Sequence, residues 1–376
     1  ASIIQELTQQ GLLHPLSAEI FRSDSDQTIR LYRHQQEAIE KALKRDHFVV
    51  TSGTGSGKSL TYFVPIFDAV LKGDHHISKV WAIVVYPMNA LVNSQHEALM
   101  SLAEAYNNLT GEELPVRFAK YTGQETDEKK REIQQNPPHI ILTNYVMLEL
   151  MLVRPEEHDF VDRASTGLQF LVLDELHTYR GRQGADVALL VRRLRERCGN
   201  PDLLSIGTSA TMIAAKTTTP EERRQTVAEF ASKLFGVEVK PENVVEESLQ
   251  RITSAPDSPS DEDLREAVHA SLPVTREQTL NNPLPAWIEF TFGLQQEPDG
   301  RFRRGTPLSL ADGTNKLAEI TGIGAQTCED RLREMFLVGS QLKLPDGNPL
   351  FAFKLHQFIA QGRTVYATIE PISERY

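Results

Sequence analysis

The stretch HFVVTSGTGSGKSLTYFVPI, residues 47–66, carries three structural signals in a row. A short apolar run rich in β-branched residues leads into a turn with glycine at 53, 55 and 57, and then into a helical pattern. A strand, a glycine-rich turn and a helix in that order bring several backbone N–H groups and a helix N-terminus to one point, which makes an anion site. Thr54, Gly55, Ser56 and Gly57 would then cradle phosphates, Lys58 would reach the β- and γ-phosphates of a nucleotide, and Ser59 would hold Mg²⁺. The strict pattern has glycine where Ser52 stands, so a flexible Gly/Ser loop that happens to end in Lys-Ser is the rival reading of this loop alone.

Four more runs share the character of HFVV: VWAIVVY (80–86), HIILTN (139–144), QFLVLD (169–174) and LLSIGTSA (203–210). Apolar runs of that length, separated by amphipathic stretches, are the pattern of strands in a parallel sheet covered on both faces. The expected fold is α/β, a doubly wound parallel sheet over about residues 25–215 behind a helical segment at 1–24. Beyond residue 212 the rhythm is lost. Pro- and Ser-rich acidic stretches such as SAPDSPSDED (254–263) separate isolated helical patterns, so 216–376 reads as a mostly helical accessory region. Thr219 as N-cap, Pro220 at the first helical position and Gly236 past the end bound one such helix. Others are expected over 261–272 and 328–342, with a strand over 364–370.

A chain of 376 residues has room for two domains. With 40 Lys+Arg against 51 Asp+Glu its formal net charge is −11, which argues against a polybasic protein gripping nucleic acid through bulk charge, though not against a local basic track. Cys198 and Cys328 are too few for a disulfide framework or a Cys-rich zinc site, and point to a reducing, cytoplasmic setting. No apolar stretch approaches the roughly 20 residues of a membrane span, and no leader is visible, so no membrane partner is expected. A start at Ala1 without Met suggests a processed or engineered fragment.

VLDELH (172–177) resembles the DEAD/DEAH motif of superfamily 2 helicases. The resemblance implies a RecA-like sheet with ATP and Mg²⁺ as cofactors: Asp174 at a strand's carboxyl end holds the metal shell, and Glu175 acts as general base on the attacking water. An acidic strand end capping the next helix is the bland alternative. GTSATM (207–212) resembles motif III, which implies that Ser209, Thr211 and His177 couple the ATP site to strand movement. YRHQQEAI (32–39) is similar to the Q-motif region, with Gln35, then Gln36, as the residue reading the adenine edge. YPMNALVNSQ (86–95) resembles motif Ia, through Pro87 and Asn89. Asn89 stands where the family has arginine, which removes a charge-assisted phosphate contact. Tyr121-Thr122-Gly123 and Thr143-Asn144 resemble the elements that touch a nucleic-acid backbone, so Thr122, Gly123 and Thr143 position a strand without reading its sequence.

The segment HTYRGRQGADVALLVRRLRERCG (177–199) looks like the Lhr-like and MrfA/YprA-like branch, including the phage-defence helicases of Druantia and DISARM type. Arg192, Arg193, Arg195 and Arg197 share one helix and read as its solvated basic end, with a nucleic-acid-facing edge as the alternative. Such motors have a second RecA lobe with a Q-x-x-G-R-x-x-R motif. The look-alike here, IAQGRTVY (359–366), has Ile359 and Tyr366 at the outer positions, so that lobe is expected to be absent and the chain to be an N-terminal portion of a longer helicase. FKLHQFIAQGRTVYATIEP (353–371) resembles the inter-lobe region of MrfA-like proteins, and His356 reads as a core residue rather than a metal ligand. The expected function is the ATP-binding half of a helicase or translocase acting on single-stranded or partly duplex DNA. Its other partners would be the second RecA lobe of the same polypeptide and DNA-repair or phage-defence proteins. An RNA helicase and a nucleotide-switched scaffold lobe are the alternatives.

Overall fold

The computed structural model describes residues 4–22, 28–53, 57–210, 219–297, 300–305, 308–343 and 349–351. The chain divides into two compact units, Ala1–Ser248 and Leu249–Tyr376.

The first unit is built on seven strands: β1 (Phe48–Thr51), β2 (Ala82–Tyr86), β3 (Phe118–Lys120), β4 (Ile140–Asn144), β5 (Phe170–Leu173), β6 (Leu204–Ser209) and β7 (Val244–Glu246). They form one parallel sheet in the order β3-β4-β2-β5-β6-β1-β7. Successive side chains of a strand point to opposite faces, and here both faces are dry. Phe48, Val50, Ala82, Val84, Phe170 and Val172 join one core, while Val49, Ile83, Val85, Leu171 and Leu173 join the other. The first core is closed by α1 (Ile4–Gln9), α2 (Ser17–Ile20), α3 (Arg33–Leu43), α4 (Leu60–Lys72) and α5 (Asn89–Thr110). The second is closed by α6 (Asp127–Gln135), α7 (Tyr145–Val153), α8 (His158–Gly167), α9 (Gly181–Cys198) and α10 (Pro220–Phe235).

The five apolar runs of the sequence are β1, β2, β4, β5 and β6. The other two strands, β3 and β7, are three-residue strands at the two edges of the sheet, too short for an apolar run to show. β7 also moves the expected boundary at residue 215. It pairs with β1, and α10 packs beneath it, so the unit continues to Ser248. Nor is the N-terminal segment separate: Ile4, Leu7, Leu13, Ile20 and Phe21 are buried in the same core as Phe48. The expected start and stop of α10 are met. Thr219 and Glu222 form a reciprocal capping box, and Gly236 ends the helix at φ +68°, a left-handed conformation that favours glycine.

The second unit contains α11 (Asp261–His269), α12 (Arg276–Asn281), α13 (Pro283–Ile288), α14 (Leu310–Thr321) and α15 (Ala325–Gln341), with an antiparallel ribbon of β8 (Leu294–Gln296) and β9 (Phe302–Arg304). Leu264, Trp287, Leu317, Leu332 and Met335 form its core. The buried carboxylate of Glu289 accepts bonds from the backbone N–H of Ile252 (2.7 Å) and Thr253 (3.0 Å) and from the Thr253 hydroxyl (2.6 Å). No parallel strand pair occurs among the described residues of this unit. His356, IAQGRTVY and the strand expected over 364–370 lie outside them.

Candidate functional site

Because every strand of the first unit runs the same way, all seven carboxyl ends open on one edge, where ligands of open α/β sheets bind. Three of them, β1, β6 and β5, are consecutive in the sheet and carry the phosphate loop, Ser209 and Asp174 respectively. The sequence separates these groups widely, and the sheet order brings them together.

Past β1, the buried Ser52 donates its N–H to Ser209 O (3.2 Å), and Gly53 donates its N–H to the Glu247 carboxylate (2.7 Å). Gly57 has φ +69°, which favours glycine, and a Cβ there would stand 2.6 Å from Gln35 Nε2, so a side chain would also displace that amide. Lys58 is buried. Its ammonium donates to Ser52 O (3.2 Å) and lies 3.5 Å from Glu175 Oε1. Ser59 precedes α4, whose leading N–H groups and dipole face the loop. Thr54, Gly55 and Ser56 lie outside the described residues. Both ends of the Gln35 amide are engaged internally. Its oxygen accepts from Tyr32 N (2.8 Å) and its nitrogen donates to Gly57 O (2.9 Å), which ties α3 to the phosphate loop. Reading an adenine edge would exchange one of these bonds. Gln36 instead donates to Glu40 (3.0 Å) along the same helix.

Past β5, Asp174 is buried, and desolvation raises its carboxyl pKa to about 6, with the neighbouring Glu175 pushing the same way; a bond from the Thr208 hydroxyl and the charge of Lys58 work against the shift. Glu175 has φ +52°, a left-handed conformation that is strained for any residue but glycine. The strain is held by bonds: Glu175 N–H donates to the Thr208 hydroxyl (3.2 Å), and its carboxylate accepts from Ala210 N (3.2 Å). His177 Nδ1 lies 3.2 Å from Glu175 Oε2, 3.3 Å from the Ser209 hydroxyl and 3.3 Å from Ala210 N. The expected trio of His177, Ser209 and Thr211 is thus brought together in its first two members, while Thr211 lies outside the described residues.

While β7 lies beyond β1, on the far side of β5 from the phosphate loop the carboxyl ends of β2, β4 and β3 form the other half of the edge. Pro87 and Asn89 are half-buried there, and Gly123 is exposed with open space around it. The Asn89 side chain accepts from Asn144, which also caps α7 by accepting from Met147 N (2.7 Å). Thr122 and Thr143 do not present their hydroxyls to solvent. Both are fully buried; Thr122 donates to Glu125 (2.6 Å) and Thr143 to Tyr121 O (2.6 Å), so they shape the surface from beneath. No helix among the described residues is long and apolar enough to cross a membrane, and no cluster of His, Cys, Asp and Glu among them is arranged to hold a metal by itself.

The sequence profile of the DEAD/DEAH box helicases matches residues 32–219, half of the chain. The chain belongs to this family. It is similar to the ATP-dependent helicase Lhr-Core of Methanothermobacter thermautotrophicus, with 31% identity over 54% of this chain and 23% of that protein. It is also similar to the Druantia protein DruE of Escherichia coli, with 28% identity over 46% of this chain and 15% of that one. Among solved structures, the DUF1998 helicase MrfA bound to DNA matches at 25% identity and a TM-score of 0.50, over 62% of this chain and 27% of that one. The branch expected from HTYRGRQGAD is therefore the one that supplies the relatives. The chain spans less than a quarter of the length of these curated relatives.

In this DEAD/DEAH lobe, Thr208 is the site residue that motif reading passes over. It lies inside GTSATM, and its single hydroxyl serves Asp174 and Glu175 together. A hydroxyl near the end of a strand buried at every position needs a partner, and that is the signal that could have singled it out. Tyr62 and Tyr86 are likewise given no role by the motif reading, although Tyr86 opens YPMNALVNSQ. Their buried hydroxyls lie 3.3 Å apart beside Asp174, and burial raises both pKa values, keeping them neutral. The arginines of α9 make internal contacts. Arg192 bonds Lys233 O (3.0 Å), Arg195 bonds Leu203 O (3.0 Å) and Arg197 pairs with Asp162 (2.6 Å), while Arg193 is exposed.

Proposed function

We propose that this chain is the ATP-binding lobe of an ATP-dependent DNA helicase or translocase, in which hydrolysis of ATP drives movement along a strand. The observation that carries the reading is the convergence of Lys58, after β1, with Asp174 and Glu175, after β5, across the intervening β6, with the Lys58 ammonium 3.5 Å from Glu175 and Asp174 buried beside them. Lys58 would exchange the Ser52 carbonyl for the β- and γ-phosphates of a bound nucleotide, which the N-terminal end of the α4 dipole would also attract. A carboxyl whose ionisation is resisted by burial suits a divalent cation, because the cation compensates the charge that the interior penalises. Asp174 and Ser59 would hold Mg²⁺, which supplies neutralisation of the charge on the transferring phosphoryl group. Glu175 accepts the proton of the attacking water, and the turn that aims it is fixed by Thr208 and Ala210.

DNA is favoured because MrfA, the relative of known structure at this identity, is bound to DNA. RNA is the alternative, distinguished by the 2′-hydroxyl. A strand crossing the carboxyl edge would meet Pro87, Asn89 and Gly123; that the first two are half-buried and the third exposed supports this reading. The second unit is an accessory region, and a second RecA lobe from the same polypeptide would supply the arginine finger. A reducing cytoplasm suits the free thiols of Cys198 and Cys328. DNA repair and defence against phage are the settings that fit the family branch, with proteins of those systems as partners. The test is Lys58→Ala in the protein as its gene encodes it. Loss of strand-stimulated ATP hydrolysis and of unwinding supports the motor. Retained biological activity with lost nucleotide binding overturns it in favour of a scaffold. If the arginine finger, which contributes ~10³–10⁵ in rate, comes from a second lobe, residues 1–376 alone should bind Mg-ATP and turn it over slowly.

A further inference from the structure

One contact joins the two halves of the carboxyl edge without passing through His177. Leu176–Thr178 form a single 3-10 turn after Glu175, and Tyr179 closes it by donating its N–H to Leu176 O (3.1 Å). The Tyr179 side chain is fully buried, and its hydroxyl has no hydrogen-bond partner among the described residues. Burial and the charges of Asp174 and Glu175 raise its pKa far above the usual tyrosine value, so it is a neutral phenol at any working pH. Its ring meets that of Tyr145 edge to face, with centroids 6.2 Å apart and planes at 82°. Tyr145 is the first residue of α7, directly after Asn144, the residue that holds Asn89 at the solvent edge. From Asn89 to Glu175 the path therefore consists of one side-chain hydrogen bond, two covalent neighbours, one ring contact and one helical turn.

The two ends of this path differ in rigidity. α7 and Asn144 are fixed by an intact cap, whereas Glu175 sits in a left-handed conformation that costs free energy. A buried hydroxyl without a partner is a second unfavourable feature in the same turn, and it is relieved if the turn moves. We propose that Tyr145 and Tyr179 form a positioning pair. A strand bound at Asn89 shifts Asn144 through their hydrogen bond and so displaces the neighbouring Tyr145 ring, and the ring contact passes that displacement to the turn carrying Glu175. The inference rests on the chain being the lobe of a strand-stimulated ATPase.

The test uses Tyr145→Leu, Tyr145→Phe and Tyr179→Phe in the protein as encoded. ATP hydrolysis is measured against increasing single-stranded oligodeoxythymidylate, together with the basal rate, nucleotide affinity and melting temperature. Tyr145→Leu removes the ring contact from a half-buried site; it is expected to lower maximal strand stimulation roughly three- to tenfold, the scale of one aromatic pair. Basal rate, nucleotide affinity and half-saturating oligonucleotide concentration stay at wild-type values. Tyr145→Phe keeps the ring and full stimulation, and Tyr179→Phe loses part of it. Wild-type stimulation in Tyr145→Leu overturns the inference. So does a higher half-saturating concentration at unchanged maximum, which makes Tyr145 a strand contact, or a fall in melting temperature and basal rate together, which makes it packing. If the unmodified protein shows no strand stimulation, the ATPase reading fails first and this pair fails with it.

Discussion

Asp174→Asn should stabilise the lobe in the absence of metal while abolishing turnover, and the size of the gain should depend on pH. The Asp174 carboxyl has its pKa raised from 3.8 to about 6, chiefly by burial. A folded-state pKa above the unfolded one means that the folded protein binds the proton more tightly. The associated stability is complete below pH ~4 and is lost as pH rises through ~6. At 1.36 kcal/mol per pKa unit, the wild type forfeits ~1.5 kcal/mol at pH 5 and ~3 kcal/mol at pH 8. Asparagine carries no such charge and its side-chain oxygen still accepts from Thr208, so the variant should gain by those amounts. The chain has two tryptophans, Trp81 in the first unit and Trp287 in the second, so a Trp287→Phe background lets fluorescence report the first unit alone. Urea midpoints in EDTA at pH 5 and pH 8, with and without Asp174→Asn, give the two gains. Equal gains at both pH values, or a variant less stable at pH 8, would refute the assignment of Asp174 as a charge held at a cost for a cation. Mg-nucleotide should close the gap by stabilising only the wild type.

Thr208→Val removes one bond to Asp174 and one from Glu175, and should cost ~2–4 kcal/mol in the urea midpoint. It should also raise the Asp174 pKa further, moving the onset of Mg-nucleotide binding to higher pH; an unshifted onset would remove Thr208 from the site. Gly57→Ala puts a side chain at φ +69° and against Gln35 Nε2, and should weaken nucleotide binding by about tenfold or more in calorimetry, since left-handed backbone costs ~1–2 kcal/mol without glycine. Unchanged affinity would show that the loop is remodelled on binding. Glu289→Ala leaves the N–H groups of Ile252 and Thr253 without their acceptor and should destabilise the second unit by ~3 kcal/mol. Trp287 fluorescence should report that loss while Trp81 does not move.

The strands that sequence reveals are those buried on both faces, because burial demands an unbroken apolar run: Ala82–Tyr86 and Phe170–Leu173 are buried at every position. Phe118–Lys120 is half-exposed throughout, and an edge strand under no such demand leaves no run to read. The same asymmetry governs the site. Lys58, Asp174 and Glu175 stand in motifs whose chemistry fixes residue type and spacing, and they meet in space. Thr122 and Thr143 also stand in recognisable motifs, yet their hydroxyls turn inward, since a motif records which residue is present and not the direction it faces. Thr208 and the Tyr145–Tyr179 contact depend on neighbours brought together by the sheet order β4-β2-β5-β6, which no local pattern contains.

Glu247 has a consequence for where this lobe can be cut. The family pattern stops at residue 219, but the Glu247 N–H donates to Thr51 O (3.0 Å) and its carboxylate holds the Gly53 N–H. A fragment ended at the family boundary would lose β7 and leave β1, with Phe48, Val49 and Val50, as a naked edge open to pairing with other chains. It would also lose a tether of the phosphate loop. The evolutionary signature and the folding unit have different ends, and the backbone of Gly53 is held by a residue that the signature does not reach.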